Sequence, residues 1–296
     1  MHAACAQRSA TRRTPSAANH PLRELPMTVT FTTKRTATRF GEARDLATFL
    51  GLVDRWTREV PAIVPIIPLF RGQEDESWLL KPGIARPQYA NRVQPGTEAR
   101  MLREFKQRGI PHLESTVELA DADWLAIAQH HAMPTRLLDW TGSALAALWF
   151  AIKRPVIKGD DGVSKAAAVW LLAATDADMI DREERADPLG ITETKLLKPR
   201  HVSRRIAAQD GWFSVHRGVE DGLGMKYVSL DTNAAFKERL SYIRIPPDAF
   251  GTMRAQLQTA GINRGVLFPD LEGVAGRIAD AILYPDDQEL PGAGNL

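Results

Sequence analysis

Residues 128–151 read AQHHAMPTRLLDWTGSALAALWFA, and residues 69–86 read LFRGQEDESWLLKPGIAR. The first stretch holds a helix end, a proline break and a second helix. Pro134 stops the helix that runs from Asp123 to His131, because the residue before a proline is pushed out of helical geometry. Ser143 to Lys153 then reads as a helix apolar on nearly every face, which demands burial. Between them lies a polar string, with His130, His131, Thr135, Arg136 and Asp139, set in an apolar frame. The second stretch repeats the pattern: Val64 to Phe70 is a short apolar run that predicts a strand, and it ends on Arg71-Gly72. Polar groups in apolar frames cost free energy unless something pairs them, so these two stretches mark the working site.

Outward from there the spacing predicts helices over 43–56, 98–107, 247–260 and 273–282. Strands are predicted over 166–173, 211–216 and 241–245. Residues 174–203 carry mixed charge, Pro188 and Pro199, and no period, which reads as loop or irregular helix. Helices in the first half and strands later give an α+β class: one domain with a helical N-terminal half and a mixed, mostly antiparallel sheet. The domain is expected over 39–285, between a disordered tail (1–38) and a C-terminal tail (286–296). The first 26 residues have one acid, Glu24, and the composition of either a transit peptide or a plain tail, with Met27 as an alternative start.

Composition narrows function by exclusion. The formal net charge of the 296 residues is +2, too small for a nucleic-acid signal. No apolar run approaches the ~18 residues that span a bilayer, so no membrane partner is expected. Cys5 is the one cysteine, so no internal disulfide can form, in keeping with a cytoplasmic location. No His-Glu-x-x-His or paired-cysteine spacing occurs, and His130 and His131 point about 100° apart on a helix. No metal is expected.

The motifs resemble the FRG domain, a bacterial family named for Phe-Arg-Gly. Here those residues are Phe70-Arg71-Gly72, followed by Gln73, Trp78, Leu80, Pro82 and Arg86. A second block is Gln129-His130-His131 with Pro134-Thr135-Arg136-Leu137-Leu138-Asp139-Trp140-Thr141, where Ala132-Met133 replaces the more usual Gly-Leu. A third is Arg205-Ile206 with Gln209, Gly211 and Phe213, and a fourth runs from Gly261-Ile262 to Phe268-Pro269-Asp270-Leu271-Glu272-Gly273. The aromatic-Arg-Gly segment is in turn similar to the NAD-gripping strand of arginine-type ADP-ribosyltransferases.

That second likeness implies a nucleotide-handling enzyme that binds NAD and breaks its nicotinamide–ribose bond, by transfer or by hydrolysis. Arg71 would grip phosphate, Gly72 would let the ligand approach, and Gln73, Gln129, His130, Thr135, Arg136 and Gln209 would line the site. His131, Asp270 and Glu272 would serve catalysis, a carboxylate stabilising the growing cation. Several assignments have a structural counterpart: Arg71 paired with a core carboxylate such as Asp139, Arg136 clamped to Asp139, and Asp270 and Glu272 at a helix start, where acids are favoured anyway. The rival functional reading is a non-catalytic module that binds a nucleotide or a protein target, as a sensor in phage defence or a toxin–antitoxin pair.

Overall fold

A computed structural model of the chain describes residues 37–60, 64–89, 91–113, 118–200 and 207–283. The chain opens with strand β1 (Thr38–Glu42), helix α1 (Leu46–Glu59) and β2 (Ile67–Gln73). Next come α2 (Thr97–Gly109), α3 (Asp121–His130), β3 (Leu137–Thr141), α4 (Ala144–Ile152) and β4 (Ala167–Ala174). A short α5 (Arg182–Ala186) precedes β5 (Lys195–Leu197), β6 (Gly211–Val215), β7 (Gly218–Glu220), β8 (Met225–Tyr227) and β9 (Leu240–Ile245). The last helices are α6 (Phe250–Thr259), α7 (Arg264–Leu267) and α8 (Leu271–Leu283).

Seven strands form one sheet in the order β1-β9-β4-β2-β3-β6-β5, and β7–β8 make a separate ribbon. Only β1 and β9 run parallel; the other neighbours in the sheet are antiparallel. The expected α+β class and mixed, mostly antiparallel sheet are therefore the architecture. β4 lies between β9 and β2, and its AAVWLLAA is buried throughout, as a strand covered on both faces must be.

Alternation along the strands sorts side chains to two faces. On one face Phe70, Val169, Leu171 and Ile243 meet Phe49 and Trp56 of α1, Leu148 of α4 and Met253 of α6. At the other end of the sheet Leu137, Phe213 and Val215 meet Leu102 of α2 and Leu125 of α3. On the opposite face Leu69, Trp140, Trp170 and Leu172 lie under Leu80, Leu230 and Phe236, from segments without long helices. Helices α1 and α4 start on local caps, a side-chain oxygen meeting a first-turn N–H. Asp45 accepts from the Thr48 N–H at 2.8 Å, and Ser143 from the Ala146 N–H at 3.2 Å.

Two expectations change. Within 174–203, α5 and β5 form; Leu196 and Leu197 are buried, but three residues are too few to reveal a period. Thr38, placed in the expected N-terminal tail, opens β1. The rest of that tail, the C-terminal tail, and Arg205-Ile206 of the third motif lie outside the described residues, apart from Ala37.

Candidate functional site

Arg71 sits where the sheet comes apart. Strands β2 and β3 share one register pair, Phe70 with Thr141, while β2 stays paired to β4 through Gln73. Beyond Phe70 the Asp139 carbonyl has no β2 backbone partner, and the Arg71 guanidinium takes that place, donating from Nη1 at 2.7 Å. The Asp139 carboxylate lies 3.8 Å from the same nitrogen and is 58% exposed, whereas the arginine side chain is 15% exposed. Arg71 Nε is buried with no hydrogen-bond partner. Burial lowers the Arg71 pKa from its ordinary value, Asp139 opposes this, and Arg86 adds to it, the desolvation and charge effects expected of a buried cation. The alternative in which Asp139 pairs Arg71 is thus half realised: the backbone bond is short and the ionic contact long.

Gly72 and Gln73 serve the fold. A Cβ on Gly72 would stand 2.0 Å from the Ala147 carbonyl oxygen and 2.5 Å from the Ala151 nitrogen. The space expected for a ligand is occupied by the α4 backbone. Gln73 accepts the Trp170 indole N–H at 2.7 Å on the opposite face.

The Gln129–Thr141 block converges on the same place. Gln129, in the last turn of α3, donates to the Asp139 carboxylate at 3.3 Å and accepts from the Thr135 hydroxyl at 2.8 Å. Thr135 in turn accepts from the Leu137 N–H at 3.1 Å, fixing the turn into β3. His130 and His131 stack edge to face at 5.1 Å, and His131 is exposed. Ala132 ends α3 in a Schellman motif: its N–H bonds the Gln129 carbonyl at 3.0 Å, and Met133 bonds Ala128 at 2.9 Å. Its φ is +63°. The Gly-to-Ala departure from the family pattern is therefore a backbone matter, not a swap of one apolar residue for another.

Arg136 does not reach Asp139. It is 4% exposed and grips Glu98 of α2, itself 8% exposed, through Nη2 at 2.6 Å and Nε at 3.1 Å. Nη1 donates to the Leu189 carbonyl at 3.0 Å. Tyr227 donates to the same Glu98 oxygen at 2.6 Å, and burial, with Glu98 beside it, pushes its phenol pKa up. These three residues border a cleft of about 240 Å³ with Gly96, Leu189 and Met225.

One buried polar chain joins the motif residue Trp140 to two residues that no motif includes. His216 is fully buried; Nδ1 meets the Val228 carbonyl at 2.7 Å and Nε2 the Ser214 hydroxyl at 3.0 Å. Ser214 accepts from the Trp140 indole N–H at 3.1 Å. Burial lowers the His216 pKa to about 4 against the Val228 bond, and Arg71 and Arg136 lower it further. The signal was the alternation of Gly211 to His216, which puts Ser214 and His216 on one face.

The third and fourth motifs meet each other instead. Gln209 donates to the Leu267 carbonyl at 3.0 Å and its own carbonyl accepts from Thr141 at 2.5 Å. Asp270 accepts from the Gly273 N–H at 2.9 Å, capping α8, and Glu272 stands exposed in its first turn. The helix-start reading of these two carboxylates is the one their positions match.

Among protein families, the FRG domain model matches residues 67–158. The matched span is similar to the FRG domain; it holds Phe70-Arg71-Gly72 and the whole Gln129–Thr141 block but neither Gln209 nor the Asp270–Glu272 pair. No curated protein and no solved structure matches. Among the described residues no His, Cys, Asp or Glu group is placed to hold a metal ion, and no helix is long and apolar enough to cross a membrane.

Proposed function

We propose that the FRG domain is a non-catalytic binding module whose anion-recognising group is Arg71. The observation that carries this reading is the state of its guanidinium: half-buried, pinned by one bond to a carbonyl, and left with a buried Nε that has no partner. A buried charge without full pairing is costly. A phosphate or carboxylate can offset that cost by supplying two parallel acceptors to the planar fork. The exposed Asp139 carboxylate is the displaceable neighbour, and Gln129 holds it in position. Arg136, by contrast, has Glu98, Tyr227 and a carbonyl around it and serves the fold.

Cleavage of NAD draws less support. As placed, the residues do not fit a dinucleotide. The α4 backbone fills the space beside Gly72. The cleft at Arg136, about 240 Å³, is smaller than most small-molecule sites. Asp270 is committed to capping α8. Calorimetric titration of the full chain with inorganic phosphate, ADP-ribose, NAD and acetate tests the binding reading and separates phosphate from carboxylate. Binding of at least one probe is expected, lost in Arg71→Lys and strengthened several-fold in Asp139→Asn, where the competing charge is gone. No binding at 10 mM probe (about 2.7 kcal/mol on the affinity scale), or binding indifferent to both substitutions, overturns it. Release of nicotinamide from NAD would reinstate an enzyme.

A further inference from the structure

The last described helix is built inside out. Gly273, Gly276 and Arg277 of α8 face its own domain: a Cβ on Gly273 would stand 1.9 Å from the Phe268 carbonyl oxygen, one on Gly276 would stand 2.3 Å from Arg264 Cζ, and Arg277 donates to Asn263 at 3.0 Å. At about 100° per residue, the opposite face carries Leu271, Val274, Ala275, Ile278 and Ile282. Those side chains point to solvent, Leu271 at 87% and Ile282 at 70% exposure, with Leu283 beside them. A surface helix normally buries its apolar stripe on its own core. Here Gly273 is buried, Gly276 is half-buried, and the stripe is exposed.

We infer that this stripe is a two-fold interface to a second copy of the same chain. Its pattern is self-complementary in the antiparallel sense. With the axis between Gly276 and Arg277, Leu271 meets the Ile282 position and Ala275 meets Ile278. Large side chains thus face small ones near the axis, the alternation that lets two helices interdigitate, and the same patch serves both partners, as a two-fold requires. No charge lies in the stripe; Glu272 falls on its flank, and Arg277 and Asp280 on the inward side. A lipid surface is disfavoured, because α8 lacks the flanking Lys and Arg and the Trp or Phe that interfacial helices carry. Side chains of this exposure present on the order of 500 Å² per copy, so a pair reaches the roughly 1,000 Å² where specific interfaces begin.

Sedimentation velocity of the full chain tests the pairing. The mass should rise from 32.8 kDa to twice that with increasing protein concentration. Ile278→Glu should keep it at the monomer value with an unchanged circular dichroism spectrum, since that side chain is 53% exposed and belongs to none of the core clusters. In a Cys5→Ser background, Leu271→Cys combined with Ile282→Cys should form an intermolecular disulfide, and Leu271→Cys alone should not. A wild-type chain that stays monomeric at 200 μM (about 5 kcal/mol on the affinity scale) sinks the inference. So does a dimer that Ile278→Glu and Val274→Lys both leave intact.

Discussion

Lowering the pH from 7 to 5 should remove about 2 kcal/mol of folding stability through His216 alone. In the folded chain this ring is buried, with Nδ1 on the Val228 carbonyl and Nε2 on a hydroxyl already bonded to Trp140. A second ring proton would face Ser214 and feel the guanidiniums of Arg71 and Arg136 through a poorly screening interior. Its folded pKa is about 4, against 6.5 in the unfolded chain. Between those values the unfolded chain binds a proton that the folded one refuses, so stability is full above about pH 6.5 and falls as the pH drops. The loss levels off near about 3 kcal/mol once the pH passes below the folded value. Urea unfolding followed by circular dichroism at pH 7, 6 and 5 measures it, on the wild type and on His216→Gln. Glutamine can keep both hydrogen bonds and does not titrate, so carboxylates that change with pH cancel in the difference. A gap between the two proteins that stays constant from pH 7 to 5 would refute the reasoning.

Other substitutions probe the packing around the motifs. Gly72→Ala drives a methyl into the α4 backbone and should cost at least the roughly 1–3 kcal/mol of overpacking, visible as a lower urea midpoint. Glu98→Gln leaves the Arg136 charge buried without its partner and should cost about 3–5 kcal/mol; Glu98→Gln with Arg136→Met should cost less than the sum of the two single changes. Ala132→Gly should do the reverse and stabilise by up to about 1 kcal/mol, read as a higher thermal midpoint, because glycine adopts a positive φ without strain.

The helices and most strands were legible because their signals are local. Ser143 caps α4, Pro134 ends the region of α3, and the apolar run of β4 can only be a doubly covered strand or a buried helix segment. Elements with few residues or no stripe escaped: β1 joins the sheet as a parallel edge to β9, a pairing between distant parts of the chain that no local pattern encodes. The site was legible in part. Arg71, Gln129, Thr135 and Asp139 do meet, as polar residues set in apolar frames suggest. Arg136 found Glu98 in a helix that no motif touches, and the Asp270–Glu272 pair went to the start of α8.

Residue types and their spacing settled the class of fold, the location of the motifs and the absence of cysteine pairs, since each follows from chain-neighbour physics. What each polar group faces was decided only in three dimensions. A guanidinium is free or saturated according to which carboxylate the packing brings to it, and a glycine is open or crowded according to which helix lies above it. Arg71 and Arg136 are chemically the same, and only tertiary structure gave one of them Glu98 and left the other with a bare nitrogen.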